Sequence, residues 1–402
     1  MQKLRFRIWA VGLLLALLSF ALPAASQIQL AFITNADNTI TITGYTGSDG
    51  DLVIPAATNG YPITSIGDFA FESLPSLTSV TIPNSVTSIG NSAFTSCRLT
   101  NITIPDSVTN IGAAAFAYCM RLASILVDTN NPKYSSVAGV LFDYGQTAIF
   151  AYPGGLSGSY IIPNSVTRIE DDAFGGSSLT NVTIPDHVTN IGDFAFNGCY
   201  SLTGMTIPNS VTNIGANAFH YCIHLTSVMI PNSVTSIGSF AISFCSGLTN
   251  VIIPNGVTSM GLYAFTGCDR LNKVYFLGNA PMVNGGAGSA DSTVFSGESG
   301  TAYYLPGTRG WGSTFGGWPT ALWYQPNPMI LGSGYGLGPT TNGFGFTISW
   351  ATNAPVVVEA CTNLANPVWL PLATNILTGG TNYFSDSQWT NHPGRFYRLR
   401  SP

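Results

Sequence analysis

The stretch Ile82-Pro83-Asn84-Ser85-Val86-Thr87-Ser88-Ile89-Gly90-Asn91-Ser92-Ala93-Phe94-Thr95-Ser96-Cys97 recurs with small changes along most of the chain. Its Ile-Pro pair returns at Ile54, Ile82, Ile104, Ile162, Ile184, Ile207, Ile230 and Ile253, at spacings of 28, 22, 58, 22, 23, 23 and 23 residues. A period in the low twenties means a solenoid, in which each unit buries its apolar side against its neighbours, and it takes precedence over other fold arguments. The two long spacings are insertions, Ala56 to Pro62 in the first and an excursion within Leu126 to Gly158 in the second.

The columns of the repeat read as one coil. In Leu77-Thr78-Ser79-Val80-Thr81-Ile82 the residues Leu77, Val80 and Ile82 point inward along a short strand. Pro83 stops that strand because it has no N–H for a ladder, and the Asn or Asp that follows suits a turn. Val86 and Ile89 fill the next side. Gly90, Gly112, Gly192, Gly215, Gly238 and Gly261 form a column, with Glu170 its one departure, for which a backbone angle barred to other residues is expected. An Ala-Phe pair, from Ala70-Phe71 to Ala264-Phe265, sets a large ring beside a small residue in each layer, with Ile242 replacing Phe once.

The pattern Ile-Pro-x-Ser-Val-Thr-x-Ile-Gly-x-x-Ala-Phe-x-x-Cys resembles the BspA-like branch of the leucine-rich repeats, known from bacterial and some protozoan surface proteins, over about residues 50 to 278. Asn131-Pro132-Lys133-Tyr134-Ser135-Ser136 with Gly139-Val140-Leu141-Phe142 and Tyr152-Pro153 resembles the larger repeat variant of that family, with an extra strand pair. The resemblance implies a right-handed coil of short strands and short helical or 3-10 turns, and adhesion or protein recognition at a cell surface. It carries no catalytic residues across.

Charged residues make up only 8% of the chain, while Gly, at 44 copies, and neutral polar residues are abundant, which suits a β-rich surface. Met1 to Ser26 reads as a secretory signal: Lys3, Arg5 and Arg7 precede the apolar Trp9 to Leu22, and Ala24-Ala25-Ser26 offers a cleavage site before Gln27. The apolar run is short for a membrane span, and no later segment is long enough. The mature chain keeps 10 basic against 18 acidic side chains and has no basic block, which argues against nucleic acid as a partner. A secreted or cell-surface location follows.

Six cysteines, Cys97, Cys119, Cys199, Cys222, Cys245 and Cys268, share one column, whose other members are Leu74 and Ser177; Cys361 lies apart. Coils about 4.8 Å apart nearly permit bridges Cys97–Cys119, Cys199–Cys222 and Cys245–Cys268. Parallel side-chain vectors give a poor Cβ approach, so a ladder of buried thiols is favoured, although the sequence leaves the redox state open. No Cys-x-x-Cys pair suggests zinc, and His220 and His224 lack the glutamate of a metalloprotease motif, so no metal or cofactor is expected. Asp171-Asp172, Glu298 and Glu359 make no repeated carboxylate column, so an enzyme, such as a polysaccharide-degrading one, is disfavoured and no catalytic residue is assigned.

Alternation along the model strand places an outward column on the expected concave sheet: Thr81, Thr103, Ile161, Thr183, Thr206, Met229, Ile252 and Tyr275. It begins as hydroxyls and ends apolar, so either a partner or the next segment of chain covers Met229, Ile252 and Tyr275, with internal cover favoured. This column is the candidate face for an extracellular protein partner. Residues 272–325 lose the period and gain Trp311, Trp318 and Trp323, which either seal the end of the solenoid or stack on sugar rings, making a glycan the alternative ligand. After Pro326 and Pro328, runs such as Phe344 to Trp350 and Val356 to Cys361 read as strands of a small β-sandwich resembling a fibronectin type III module. Arg395, Arg398 and Arg400 near the end suit either a sorting signal or a charged edge strand.

The organisation expected is therefore a signal peptide (1–26), an N-terminal β cap (27–53), a mainly β leucine-rich-repeat solenoid of eight units (54–271), an aromatic, glycine-rich cap (272–325) and a β-sandwich-like module (326–402). The function expected is binding rather than catalysis.

Overall fold

The computed structural model describes residues 30–400 apart from 49, 324–328, 332–336, 341–342, 351–354, 378–380 and 393. The secretory leader expected at 1–26 lies outside the described residues, and among those described no helix is long and apolar enough to cross a membrane.

The described residues form a β-solenoid of about 11 turns with almost no helix among them. Each coil has three sides. The first carries short strands stacked in parallel, as in Ser157–Ile161, Ser178–Thr183, Gly204–Thr206 and Ser227–Met229, which pair in that order. The Pro-Asx-Ser-Val stretch then turns the chain, Val86 N–H donating to Pro83 O at 3.0 Å and Val211 N–H to Pro208 O at 3.1 Å. Two-residue strands make the second side, where Arg168–Ile169 is followed by Asn190–Ile191, Asn213–Ile214, Ser236–Ile237 and Ser259–Met260 in one ladder. The third side has no strands. Its Ala-Phe turns are linked coil to coil, as where Phe196 N–H reaches Ala218 O at 2.8 Å and Phe219 N–H reaches Ala241 O at 2.7 Å.

Inside, the repeat stacks like on like. Leu77, Val80, Ile82, Val86, Ile89, Ala93, Phe94 and Cys97 are all 7% exposed or less. Phenylalanine rings form a spine, with Phe71–Phe94 at 5.1 Å and 3° and Phe174–Phe196 at 4.7 Å and 12°, a close offset stacking that adds to the area each ring buries. The spine continues past the last regular repeat through Phe265, Phe295 and Trp318, whose ring lies 4.2 Å from that of Phe295. All six column cysteines are free and buried, and each thiol donates to the carbonyl one coil back in the Phe column, from Cys97 to Phe71 O at 2.9 Å to Cys268 to Ile242 O at 3.0 Å. A small side chain with a weak donor therefore explains the column, and burial pushes the Cys97 thiol up to about 11 and Cys119 up to about 12.

The glycine column corrects the reading by backbone angle. None of Gly90, Gly112, Gly192, Gly215, Gly238 and Gly261 has positive φ. A Cβ on any of them would run into the backbone of the coil before it, at 2.5 Å from Asp68 N for Gly90 and 2.6 Å from Gly192 C for Gly215. Close approach, not a left-handed turn, requires glycine there. At Glu170 the layer before it is the Ala148–Ala151 strand of the insertion rather than a standard coil, its N–H bonding to Ile149 O. The left-handed backbone sits instead on non-glycine residues of the third side, among them Ser92, Asp172, Phe194, Asn217, Phe240 and Tyr263, with φ of 52–58°.

The insertion is a hairpin, Tyr134–Val137 against Val140–Asp143, followed by Ala148–Ala151, which joins the second ladder through Arg168–Ile169. Val140, Leu141 and Phe142 are all buried, and alternation sends Val140 and Phe142 into the later part of the core and Leu141 into the earlier one. This strand is a wall that divides the apolar interior in two. Asn131, 1% exposed, clamps it: its Nδ2 donates to Pro105 O and Val108 O, and its Oδ1 accepts from Lys133 and Tyr134 N–H.

At the start, Leu30–Thr34 pairs with Ile40–Tyr45, which leads a separate second-side sheet through Tyr61–Ile66, Ser88–Ile89 and Asn110–Ile111. At the other end, the first-side ladder runs on beyond residue 271 through Lys273–Phe276, Thr301–Tyr304 and Trp318–Leu322. The C-terminal strands form two sheets. Gly343–Ser349 pairs with Met329–Ile330, Gly338–Thr340 and Thr381–Asp386; Pro355–Cys361 lies between Leu370–Ile376 and Phe396–Arg400. Phe346, Ile348, Val356, Val358, Leu377 and Phe384 form their common core.

Candidate functional site

The outward column lies on one face of the first-side ladder because strand alternation leaves it no other direction. Thr81, Thr103, Ile161, Thr183, Thr206, Met229 and Ile252 are all exposed, Met229 at 68%, while their chain neighbours Val80, Ile102, Val182, Met205, Val228 and Val251 are buried. Register places Ile161, Thr183, Thr206 and Met229 directly opposite one another on four adjacent strands, and Ile252 opposite Tyr275. The insertion separates this run from the earlier Thr103. Two members of the column escaped sequence reading: Val53, opposite Thr81, and Leu126, opposite Thr103, both exposed. Their units lie beside the insertions, where the repeat pattern breaks; the signal that finds them is the residue before Ile54 and the Ile-Leu-Val run after Ser124.

Tyr275 differs. It is half-buried, with Tyr303 stacked on it at 5.2 Å and Trp323 at 4.5 Å. Internal cover thus accounts for the last apolar member of the column and leaves Met229 and Ile252 open. The threonines also divide into two groups. Thr203 and Thr226 spend their hydroxyls on the ladder, donating to Thr180 O at 3.2 Å and Thr203 O at 3.1 Å. Thr183 and Thr206 have no such bond among the described residues, so their hydroxyls face outward unspent.

Between them the face is notched. Asn181, Gly204 and Ser227 are opposite one another, and Gly204 alone brings no side chain; a Cβ there would meet nothing within 4 Å. The result is a depression of about 630 Å³ walled by Asn181, Thr183, Thr206, Ser227 and Met229, with Asp186 at its rim. Hydroxyls, an amide and a flexible thioether around a hollow equip it to hold a protruding group by packing and hydrogen bonds.

The tryptophans separate by burial. Trp318 is 2% exposed, one face on Phe295 and its Nε1 donating to Glu298 O at 3.1 Å, so it is closed to a sugar ring and continues the aromatic spine. Trp311 stacks on Tyr304 at 4.9 Å and 7° and donates to Thr308 Oγ1, and Trp323 leans on Tyr275; both are half-buried. Capping accounts for their packing. The three late arginines are likewise engaged within the module: Arg395 pairs with Asp386 at 2.8 Å, and Arg398 and Arg400 converge on the buried Glu359 at 2.7 and 2.9 Å, holding its carboxyl below the usual range. His220 and His224 go to different partners, Ser243 Oγ and Tyr200 O. Among the described residues no three His, Cys, Asp or Glu are grouped to hold a metal ion.

On the third side a carboxylate column does exist. Asp68, Asp171 and Asp193 each accept the N–H of a residue one coil on, at 2.7–2.8 Å, as Asn91 does through its amide oxygen at 2.9 Å. Asp172 is pushed up to about 7 by burial first and then by its neighbours Asp171 and Asp193.

Comparison with known families matches the BspA type leucine rich repeat region, in 6 copies, to residues 56–138 and 148–279, more than half of the chain. A leucine rich cell surface protein from Faecalibacterium prausnitzii A2-165 is similar at 28% identity, covering 62% of this chain and 94% of that one, with a TM-score of 0.48. Pneumococcal vaccine antigen PcpA is similar at 17% identity over 70% of this chain and 92% of its own, with a TM-score of 0.43. A leucine-rich repeat protein from Bacteroides ovatus ATCC 8483 is similar at 21% identity over 68% and 93%, with a TM-score of 0.32. The comparison with curated proteins finds no match.

Proposed function

The chain belongs to the BspA-type leucine-rich-repeat family, and on that premise we propose that it is a secreted or surface-displayed binding protein that recognises another extracellular protein, as an adhesin does, through the outward column of its first face. The observation that carries this reading is the notch at Gly204, set in a rigid ladder between unspent threonine hydroxyls and a largely exposed Met229. Because neighbouring strands hold these groups in place before any contact, little ordering entropy opposes binding, and many individually weak contacts add up. A partner side chain seated in the notch would act as the anchor and the surrounding hydroxyls and amides as the rim. The C-terminal module, whose sheets of four and three strands share one apolar core, would serve as a spacer or second binding unit.

The test exploits the empty space above Gly204. Gly204→Asn introduces the residue that Asn181 already places on the neighbouring strand, and so fills the notch without a clash. Partner capture from an extracellular protein pool by the mature chain, Gln27 to Pro402, is expected to fall at least tenfold in Gly204→Asn and in Met229→Asp, with melting temperature unchanged. Undiminished capture by both variants sinks the assignment of this face.

A further inference from the structure

Trp389 packs more loosely than the tryptophans that cap the solenoid. It lies in the C-terminal module on a short 3-10 turn, Trp389–Asn391, half-buried and outside the module's apolar core, with Phe344 its nearest ring at 5.9 Å and 49°. A side chain of that size left out of a small core forgoes a large burial gain. Beside it is a cavity of about 420 Å³ lined by Phe344, Trp389, Thr390, His392, Arg395 and Tyr397, within the range of about 300–1,000 Å³ typical of small-ligand pockets.

The walls are fixed in advance. Phe344 and Tyr397 stack at 5.3 Å and 4°. Asp386, 7% exposed, accepts from Tyr397 Oη at 2.8 Å and Gln388 N–H at 2.9 Å and pairs with Arg395 at 2.8 Å. The turn bearing Trp389 is closed by Asn391 and His392 N–H donating to Gln388 O and Trp389 O, and by the Asn391 amide on Gln388 Oε1. Arg395 therefore borders the cavity with its charge already balanced by Asp386. A ligand with a net charge finds no uncompensated counter-charge in this pair. One with flat C–H faces and neutral hydroxyls finds aromatic planes to stack on, with Thr390, His392 and the remaining guanidinium N–H groups within the lining to hydrogen-bond it.

We propose that the Phe344–Trp389–Tyr397 cavity is a binding site for an uncharged sugar ring, giving the C-terminal module a glycan-binding role of its own. This site does not depend on the solenoid face. The test measures retention of the full mature chain on immobilised neutral oligosaccharides of the glucose, galactose, mannose and N-acetylglucosamine series, with uronic acid oligosaccharides and a tryptophan- and proline-rich peptide as competing probes. At least one neutral series should bind. Trp389→Ala is expected to weaken it tenfold or more, Trp389→Phe to restore part of the affinity by returning a flat ring, and Trp323→Ala to leave it unchanged. Thr390→Val, on the exposed side of the turn, guards against loss through misfolding and should weaken binding several-fold at an unchanged melting temperature. Absence of binding to every neutral series, binding confined to the acidic sugars or the peptide, or neutral binding indifferent to Trp389→Ala would each overturn the assignment.

Discussion

Asp172 shows what a single residue experiences when a coil repeats beneath and above it. Its backbone is left-handed, with φ of 56°, and its carboxyl is first buried and then crowded by Asp171 and Asp193 from its own and the next layer, so its pKa rises from 3.8 to about 7. Because the folded value lies above the unfolded one, the stabilising form is the protonated acid. Its contribution is complete below about pH 4 and is lost as pH rises through 7. Asp172→Asn keeps a residue tolerant of the left-handed region and removes the charge. It is expected to stabilise the protein at pH 8 by on the order of 2 kcal/mol and to converge with the native protein below pH 4. Thermal melts at the two pH values check this; an equal difference at both would assign the effect to something other than ionisation. The same crowding was visible in the sequence only as two adjacent acids. The column that joins Asp171 to Asp193 needs the coil spacing to be seen, as does the reason for glycine at 90, 112 and 215, where the nearest atom belongs to a residue more than twenty positions earlier.

At the scale of elements the decisive piece is the hairpin inserted between Val127 and Ser157. Its resemblance to the family's larger repeat variant implies an extra strand pair, and the pairing of Tyr134–Val137 with Val140–Asp143 agrees. What it could not supply is the hairpin's role as a partition, since Val140, Leu141 and Phe142 form an unbroken apolar run whose two faces are assigned only by the cores on either side. Asn131 holds this wall to the preceding coil with four hydrogen bonds. Asn131→Ala would leave Val108 O and the Tyr134 N–H buried without a partner, while Pro105 O keeps the Val108 N–H and Lys133 is exposed, at a cost of about 2–4 kcal/mol. Chemical denaturation is expected to show that loss, and a change below 0.5 kcal/mol would mean that water or a local shift replaces the amide.

For the whole molecule, stacked coils make stability a sum of neighbouring interfaces, and the wall at Val140 to Asp143 divides that sum. One apolar cluster runs from Ile40 to Ile125 with Tyr134, Leu141 and Ala151, the other from Val140 to Trp318. Hydrogen exchange of the native chain is expected to reveal two cooperative blocks meeting at the insertion, with Asn131→Ala loosening mainly the first. A single exchange unit from Ile40 to Trp318 would refute the division. The sequence by itself determined the solenoid, its inward columns and the outward column from Thr81 to Tyr275, because a local pattern repeated at one period leaves each unit only its own copies to pack against. Only the tertiary structure decided which members of that face stay open. Tyr275 is covered by Tyr303 and Trp323, Gly204 makes a notch because Asn181 and Ser227 flank it, and Trp318 is sealed while Trp389 stands beside a cavity. Each outcome depends on contacts between residues distant in the chain, and no period encodes them.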